Sequence, residues 1–227
     1  MLMNHQPGRP LKIYDHAFSR VVAQEYGIIA ALVLKYLAFR IGKSRVVFND
    51  RQWHCQSVAE LQTHYPYLSD SAIHAALQKV PDTVLLRRSV KNRWTNARST
   101  SYAFADASLT RKLNADLLYF SSDHAVRYGV HEAILLHKIE HWLRERRKRD
   151  PNYRFHPMPP KELSEKLLIS RASISRALKN LVEKGVLEKN PNPRGKVPSY
   201  TLNSTTDLDR ALASPVLNSG IETSKAA

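Results

Sequence analysis

The sequence is poor in the residues on which several classes of protein depend. Its 227 residues include one cysteine, Cys55, which excludes an intramolecular disulfide framework and a cysteine-based zinc site. Only seven glycines are present, and they form no glycine-rich phosphate-binding loop. The most apolar run, from Gly27 to Phe39, is about 13 residues long and contains Lys35, so it is too short to span a bilayer.

These absences also set the expected compartment. Residues 1–10 are polar and contain proline, without the apolar stretch of a signal peptide. Together with the single cysteine, this predicts a cytoplasmic protein associated with the nucleoid, with no membrane partner. No cofactor is expected.

Positive charge is abundant and lies in both halves of the chain. The formal net charge is +15 and the sequence pI is about 10.0. Residues 1–113 carry +9 (16 basic, 7 acidic) and residues 114–227 carry +6 (19 basic, 13 acidic). The charge predicts an anionic partner for each half.

The two halves also share a pattern of residues. The pentad that begins at Ala23 and ends in Tyr26-Gly27 recurs at Ala125, at an offset of 102 (125 − 23). Offsets drift only between elements, as expected of diverged duplicates whose loops changed length. The matched segments are 27–39 with 129–141, 59–61 with 161–163, 68–80 with 169–181 at an offset of 101, and 102–104 with 200–202 at an offset of 98.

Each copy has the order helix, short helix, turn, second helix and basic hairpin, which is the order of a winged helix. The predicted fold class is therefore mainly α with small β-wings (α+β), with two winged-helix modules in tandem. The predicted division is a flexible segment 1–12, a first module 13–105, a partly helical linker 106–120, a second module 121–203 and a flexible tail 204–227.

The first helix of each copy is predicted to be long and continuous. In the first copy it begins near Asp15 or Phe18 and ends by Gly42, and in the second it runs from a Ser122 cap to Arg149. The second helix of the first copy starts with a capping box, Ser57 with Glu60. Wing strands are predicted at 84–90, 99–105, 186–189 and 199–202, and the segment 49–54 is either a short strand or a turn.

The helix from Arg171 to Lys184 has two distinct faces. Ile174, Ala177 and Leu178 begin an apolar stripe at helical spacing, and a cap at Gly185 ends the helix. The opposite side carries arginine, serine and lysine, which bond guanine edges and phosphates. In a helix-turn-helix the second helix lies in the major groove, so this one is the predicted sequence reader.

The segment ISRASISRALKNLVEKGVLEK resembles the recognition helix and first wing strand of winged-helix DNA-binding proteins. Over residues 15–203, the first helices and basic wings are similar to the winged-helix domains of phage and plasmid replication initiators. Some plasmid initiators carry two such modules, one for dimerisation and one that binds the origin. The resemblance implies double-stranded DNA as partner, and leaves open a homodimer and a replicative helicase or its loader.

The first copy departs from this pattern at its reading helix. Asp70 occupies the position of Arg171, and Ala75 that of Arg176. Its wing is strongly basic, so this copy is predicted to hold the backbone or minor groove, or to serve partly in dimerisation. Trp94 at the wing tip either wedges against DNA or packs under its own wing.

The predicted DNA contacts come from both copies. In the second copy they are Ser170, Arg171, Ser173, Ser175, Arg176, Lys179, Lys189, Arg194 and Lys196, and in the first Ser69, Ser71, His74, Arg87, Arg88, Lys91, Arg93, Trp94 and Arg98. The basic run 144–150 is interpreted as a solvated helix end, with phosphate contact as the alternative.

One enzymatic motif occurs in the second copy. His137, Glu140 and His141 match the H-x-x-E-H pattern of a zinc site. The repeat argues against it, because Phe39 at the position of His141 places that histidine against a core or a helix partner. No catalytic residue and no metal site are therefore expected.

The sequence predicts a non-enzymatic, sequence-specific DNA-binding protein. The leading interpretation is a replication initiator of a phage, plasmid or other mobile element. A transcriptional regulator, such as a repressor bound to an operator, is the alternative. A scaffold whose winged helices bind protein is the second alternative, because the reading helix of the first copy is rich in alanine and capped by acid.

Overall fold

The computed structural model describes residues 16–91, 98–106, 108–193 and 196–203. Helices alternate with short antiparallel strands, which confirms the α+β winged-helix fold class. The first part of the chain contains β1 (His16–Ser19), α1 (Arg20–Tyr26), α2 (Ile28–Gly42), β2 (Val47–Phe48), β3 (Arg51–Gln52), β4 (His54–Gln56), α3 (Val58–His64), α4 (Asp70–Gln78), β5 (Leu85–Lys91) and β6 (Arg98–Phe104).

The second part repeats much of this order after one additional helix. Its elements are α5 (Ser108–Leu113), β7 (Leu117–Phe120), α6 (Ser122–Tyr128), α7 (Val130–Arg149), β8 (His156–Pro157), α8 (Pro160–Leu167), α9 (Arg171–Glu183), β9 (Leu187–Lys189) and β10 (Ser199–Leu202). No helix in the described ranges is long and apolar enough to cross a membrane.

The glycine of each pentad interrupts the helix that the sequence predicted as continuous. Gly27 has φ 91° and Gly129 has φ 110°, values that L side chains rarely adopt. Each glycine is the last cap of one helix and the first cap of the next. The Gly27 N–H, for example, donates to the Ala23 carbonyl at the end of α1. The prediction of single long helices was therefore wrong, as was the Ser122 cap, since the Ser121 side chain caps α6.

An unpredicted strand lies in the segment predicted as a linker. Residues 106–120 contain α5, as a partly helical segment would, but they also contain β7, which pairs antiparallel with β1. His16 faces Phe120 and Phe18 faces Leu118. At the offset of 102, positions 16 and 18 correspond to positions 118 and 120, so each pair becomes the other when the two strands are exchanged. This is the register of equivalent strands about a two-fold axis.

The buried apolar residues of both parts form one connected cluster. The Phe18 and Phe120 rings are fully buried with centroids 6.4 Å apart, so the β1–β7 pair lies within the cluster. Lys35 of α2 donates to the Leu113 carbonyl at 3.2 Å and to Asn114 Oδ1 at 2.9 Å. Burial lowers the pKa of Lys35. Segment 106–120 is thus fixed against the first part of the chain.

The helix caps follow the sequence signals. The Ser57 hydroxyl accepts from the Glu60 N–H at 3.2 Å, and Glu60 accepts from the Ser57 N–H at 2.7 Å, which confirms the capping box. Gly185, at φ 68°, follows the end of α9 as predicted. The change of offset from 102 to 101 falls in the turn, which spans 65–69 in the first part and 168–170 in the second.

The wings are three-stranded sheets in the orders β4-β6-β5 and β8-β10-β9. The strands of each wing lie within one residue of the predicted bounds. The strands β4 and β8 complete the sheets, and segment 49–54 contributes β3 and the start of β4.

Candidate nucleic-acid interface

Helix α9 is anchored by the apolar stripe that the sequence predicted. Ile174, Ala177, Leu178 and Leu181 are all at most 2% exposed and belong to the main core. Fully burying such side chains contributes about 1.5–3 kcal/mol for each large one. The core therefore fixes which side of α9 faces outward.

The turn before α9 is tight and relies on one unusual residue. Leu168 closes α8 in the left-handed region at φ 57°, a conformation that few non-glycine residues adopt. The Ser170 hydroxyl then caps α9 by accepting from the Ser173 N–H at 3.2 Å. Leu168 and Ser170 thus set the angle at which α9 leaves the turn.

The exposed side of α9 carries most of the predicted contacts. Arg171, Ser175, Arg176 and Lys179 are all exposed, with Lys179 Nζ 3.6 Å from Glu183 Oε1. Ser173 is only half-buried and accepts from the Ser170 hydroxyl at 2.9 Å. Ser170 and Ser173 are thus engaged in capping, which leaves the two arginines, Ser175 and Lys179 as the outward groups.

The start of α7 adds residues that the sequence analysis missed. Asn180 of α9 donates to Glu132 Oε1 at 2.9 Å, which holds the two helices together. Partial desolvation lowers the pKa of the neighbouring His131, the Glu132 carboxylate opposes this shift, and the Arg176 guanidinium adds to it. Only the three-dimensional packing brings His131 next to Arg176, since 45 positions separate them along the chain (176 − 131).

The second wing presents further cations. Lys189 and Lys196 are exposed, whereas Arg194 lies outside the described residues. Arg154, which was not predicted, donates to both carboxylate oxygens of Glu188 at 3.0 Å. This pair fixes the segment before β8 onto β9 at the base of the wing.

The equivalent helix of the first part is less suited to phosphate. Ser69, Ser71 and His74 are exposed as predicted, but Ser69 caps α4 through the Ala72 N–H at 3.2 Å. Asp70 occupies the first turn, where the helix dipole favours an acid. The helix dipole therefore accounts for an acid at this position, and the negative charge of Asp70 opposes phosphate binding.

One predicted DNA contact of the first wing, Arg87, lies against the protein itself. Arg87 is directed inward, and its guanidinium donates to the Leu77 carbonyl at 2.5 Å and the Val80 carbonyl at 2.7 Å. It also pairs with Asp82. Arg87 thus holds the end of α4, because carbonyls of a helix end lack intrahelical partners, and its guanidinium faces these carbonyls and not outward.

The structure describes some of the other predicted residues of this wing. Arg88 is exposed and lies 4.4 Å from the centroid of the Phe48 ring. Lys91 and Arg98 lie on strands β5 and β6, opposite each other in register. Arg93 and Trp94 lie outside the described residues.

The basic run at the end of α7 is partly structural. Arg147 donates to the Tyr153 carbonyl and to Thr201 Oγ1, both at 3.3 Å, which joins α7 to the second wing. Arg146 and Arg149 line a cleft of about 310 Å³, together with Trp142, Glu145, His156, Glu162 and Lys166.

The H-x-x-E-H segment does not assemble as a metal site. Glu140 is buried at 2% exposure while His141 is exposed, and desolvation lowers the pKa of His137 to about 4. Phe39 is 55% exposed and His141 is exposed as well, so neither side chain faces the core. Within the described residues, no three side chains of the ligand types His, Cys, Asp and Glu are grouped to hold a metal ion.

Comparison with known proteins finds a family match for one segment in the second part of the chain. A model of the MarR family matches residues 153–196, which extend from just before β8 through α8, α9 and β9 into the wing. This match supports a winged-helix DNA-binding protein. No curated protein and no solved structure matches the chain significantly.

Proposed function

We propose that the protein binds double-stranded DNA sequence-specifically and regulates transcription from the bound site. The observation that carries this proposal is α9, whose four buried apolar residues direct Arg171, Arg176 and Lys179 outward within the segment matched to the MarR family. Arginine recognises guanine through two hydrogen bonds, and each such pair contributes about 1–3 kcal/mol of discrimination.

The two parts of the chain act together as the unequal halves of one DNA-binding unit. The register of the antiparallel β1–β7 pair supports a relation of the two parts like that of the subunits of a two-fold dimer, although one chain supplies both. The second module reads sequence through α9, and the first contributes backbone contacts with its wing. The favoured target is therefore one strong half-site beside a weakly specified one.

Replication initiation is the second candidate. It is favoured by the repeated order of elements, which resembles plasmid initiators with two winged helices, whereas the family match favours regulation. A homodimer and a recruited helicase or loader belong to this candidate.

The test of DNA reading is the double variant Arg171→Ala with Arg176→Ala. We expect selection from a random duplex pool to yield a relaxed motif, with affinity for the wild-type site reduced at least about 30-fold, since two arginines at about 1–3 kcal/mol each are lost. Arg111→Ala with Lys112→Ala removes the same charge from exposed positions of α5 and serves as the control. An unchanged motif in the α9 variant would show that another surface reads the sequence.

Mapping the bound sites on the DNA that encodes the protein separates the two candidates. Sites overlapping a promoter, with a reporter that responds to the protein, support regulation. Sites in an array of repeats, with a plasmid that replicates only when the protein is supplied, support initiation instead.

A further inference from the structure

The connection between α2 and β4 exposes apolar side chains. Val46, Val47 and Phe48 are 62%, 64% and 45% exposed. Val90 is 38% exposed and lies on the same face of β5 as Arg88, whose guanidinium contacts the Phe48 ring. We call Val46, Val47, Phe48 and Val90 the hairpin surface.

The second module shows that the fold does not require these residues. Strand β8 starts 102 residues after β4 (156 − 54), but α7 continues to Arg149 whereas α2 ends at Gly42, so the second module covers the corresponding positions mostly with helix and not with a hairpin. At the positions of Val46, Val47 and Phe48, the second module has Lys148, Arg149 and Asp150. Clustered exposed apolar groups that folding does not need are typical of an interaction site.

The hairpin surface is rigidly presented. Asn49 and Asp50 have φ of 49° and 55°, as in the tight turns that join two strands. The Trp53 indole N–H donates to the Phe48 carbonyl at 3.0 Å, and the Trp53 backbone N–H donates to the Val46 carbonyl at 2.8 Å. A preorganised surface loses little conformational entropy on binding.

The charges around this surface indicate its partner. Lys43, Arg45, Arg51 and Arg88 are exposed around it, whereas segment 43–51 contains one carboxylate, that of Asp50. A second copy would place like charges opposite each other, and a phosphate backbone would leave the exposed valines and Phe48 without an apolar partner. An acidic segment with an apolar stripe complements both the cations and the valines.

We propose that the hairpin surface docks an acidic amphipathic segment of a partner protein. The site is separate from α9, so it gives a DNA-bound regulator a protein-binding face. Because Arg88 and Val90 lie on β5 of the first wing, the backbone contacts proposed for that wing come from its remaining basic residues. This proposal goes beyond the proposed function and does not depend on Arg171 or Arg176.

The test uses the full chain and a labelled amphipathic helical peptide that carries leucines on one face and glutamates on the other. In fluorescence anisotropy at physiological salt, we expect saturable binding that Val47→Ser with Phe48→Ser weakens at least tenfold. Val47→Ser alone, which leaves the Arg88–Phe48 contact in place, is expected to weaken binding about threefold. Val126→Ser removes another exposed valine, 56% exposed on α6, and should leave binding unchanged.

Three results would overturn the proposal. One is an equal peptide affinity for the double serine variant and the wild type, including the absence of binding to either. Another is loss of duplex affinity in that variant with peptide binding intact, which would assign the surface to DNA. The third is conversion of a dimer to a monomer in sedimentation, which would assign it to a second copy. The Arg171→Ala, Arg176→Ala variant should still bind the peptide, so failure of DNA reading is distinguishable.

Discussion

Arg87 provides the sharpest test of the structure, because the sequence and the fold assign it different roles. The sequence placed it among the phosphate ligands of the first wing. In the structure its side chain is 26% exposed and its guanidinium holds carbonyls at the end of α4. Replacing it with alanine should therefore reduce stability more than DNA binding.

The expected loss of stability follows from these contacts. A hydrogen bond from a charged donor contributes about 1.5–3 kcal/mol, and three carbonyls, of Leu77, Val80 and Leu85, lose such a donor. Water can reach part of this site, and the Asp82 carboxylate is 81% exposed, so its ion pair adds little. We expect Arg87→Ala to lower the free energy of unfolding by about 2–3 kcal/mol, and Tm by about 4–12 °C.

The matched control is Arg88→Ala, one residue away on the opposite face of β5. Arg88 is exposed, and its contact with Phe48 is worth about 0.5–1 kcal/mol. Urea unfolding measures stability for both variants, and binding to a fixed duplex at several salt concentrations measures phosphate contacts. Arg87→Ala should leave the salt slope unchanged, since each lost phosphate contact changes it by about 0.9.

The reasoning about Arg87 would be refuted by the opposite pair of results. Unchanged unfolding in urea, together with a salt slope reduced by about one contact, would show that Arg87 leaves the carbonyls and binds phosphate. The sequence-based assignment would then be correct.

Two further predictions concern local structure. Gly129→Ala should destabilise the protein by about 1–2 kcal/mol in thermal unfolding, because φ of 110° disfavours a side chain and the new Cβ lies 2.7 Å from Glu132 Oε2. Gly42→Ala, where no atom lies within 4 Å, should be neutral or stabilising by up to about 1 kcal/mol; equal losses at both glycines would contradict this. Hydrogen bonds from Ser57 lower the pKa of Glu60, so its contribution is present above the unfolded pKa and lost as pH falls through the folded one. Glu60→Ala should therefore cost about 0.5–1 kcal/mol at pH 7 and progressively less in unfolding measured towards pH 3; a gap that widens on acidification would contradict the capping role.

Features set by neighbouring residues could be predicted from the sequence. The apolar stripe of α9, the capping box at Ser57 and the wing strands each depend on contacts or spacing within a few residues. The pentads marked corresponding positions in the two halves, but not the break in each helix. That break depends on the backbone at Gly27 and Gly129, where the apolar spacing continues through the glycine.

Features that join distant segments were decided by the tertiary structure alone. The β1–β7 pair joins strands about a hundred residues apart, and neither strand has an alternation long enough to reveal it. Arg87 belongs to a basic wing by composition, yet the carbonyls that end α4 lie within its reach and bind it. The sequence alone determined which residues are apolar, charged or able to cap a helix. Packing decided which of those charges remain at the surface for DNA, because a buried carbonyl competes with phosphate for the same donor.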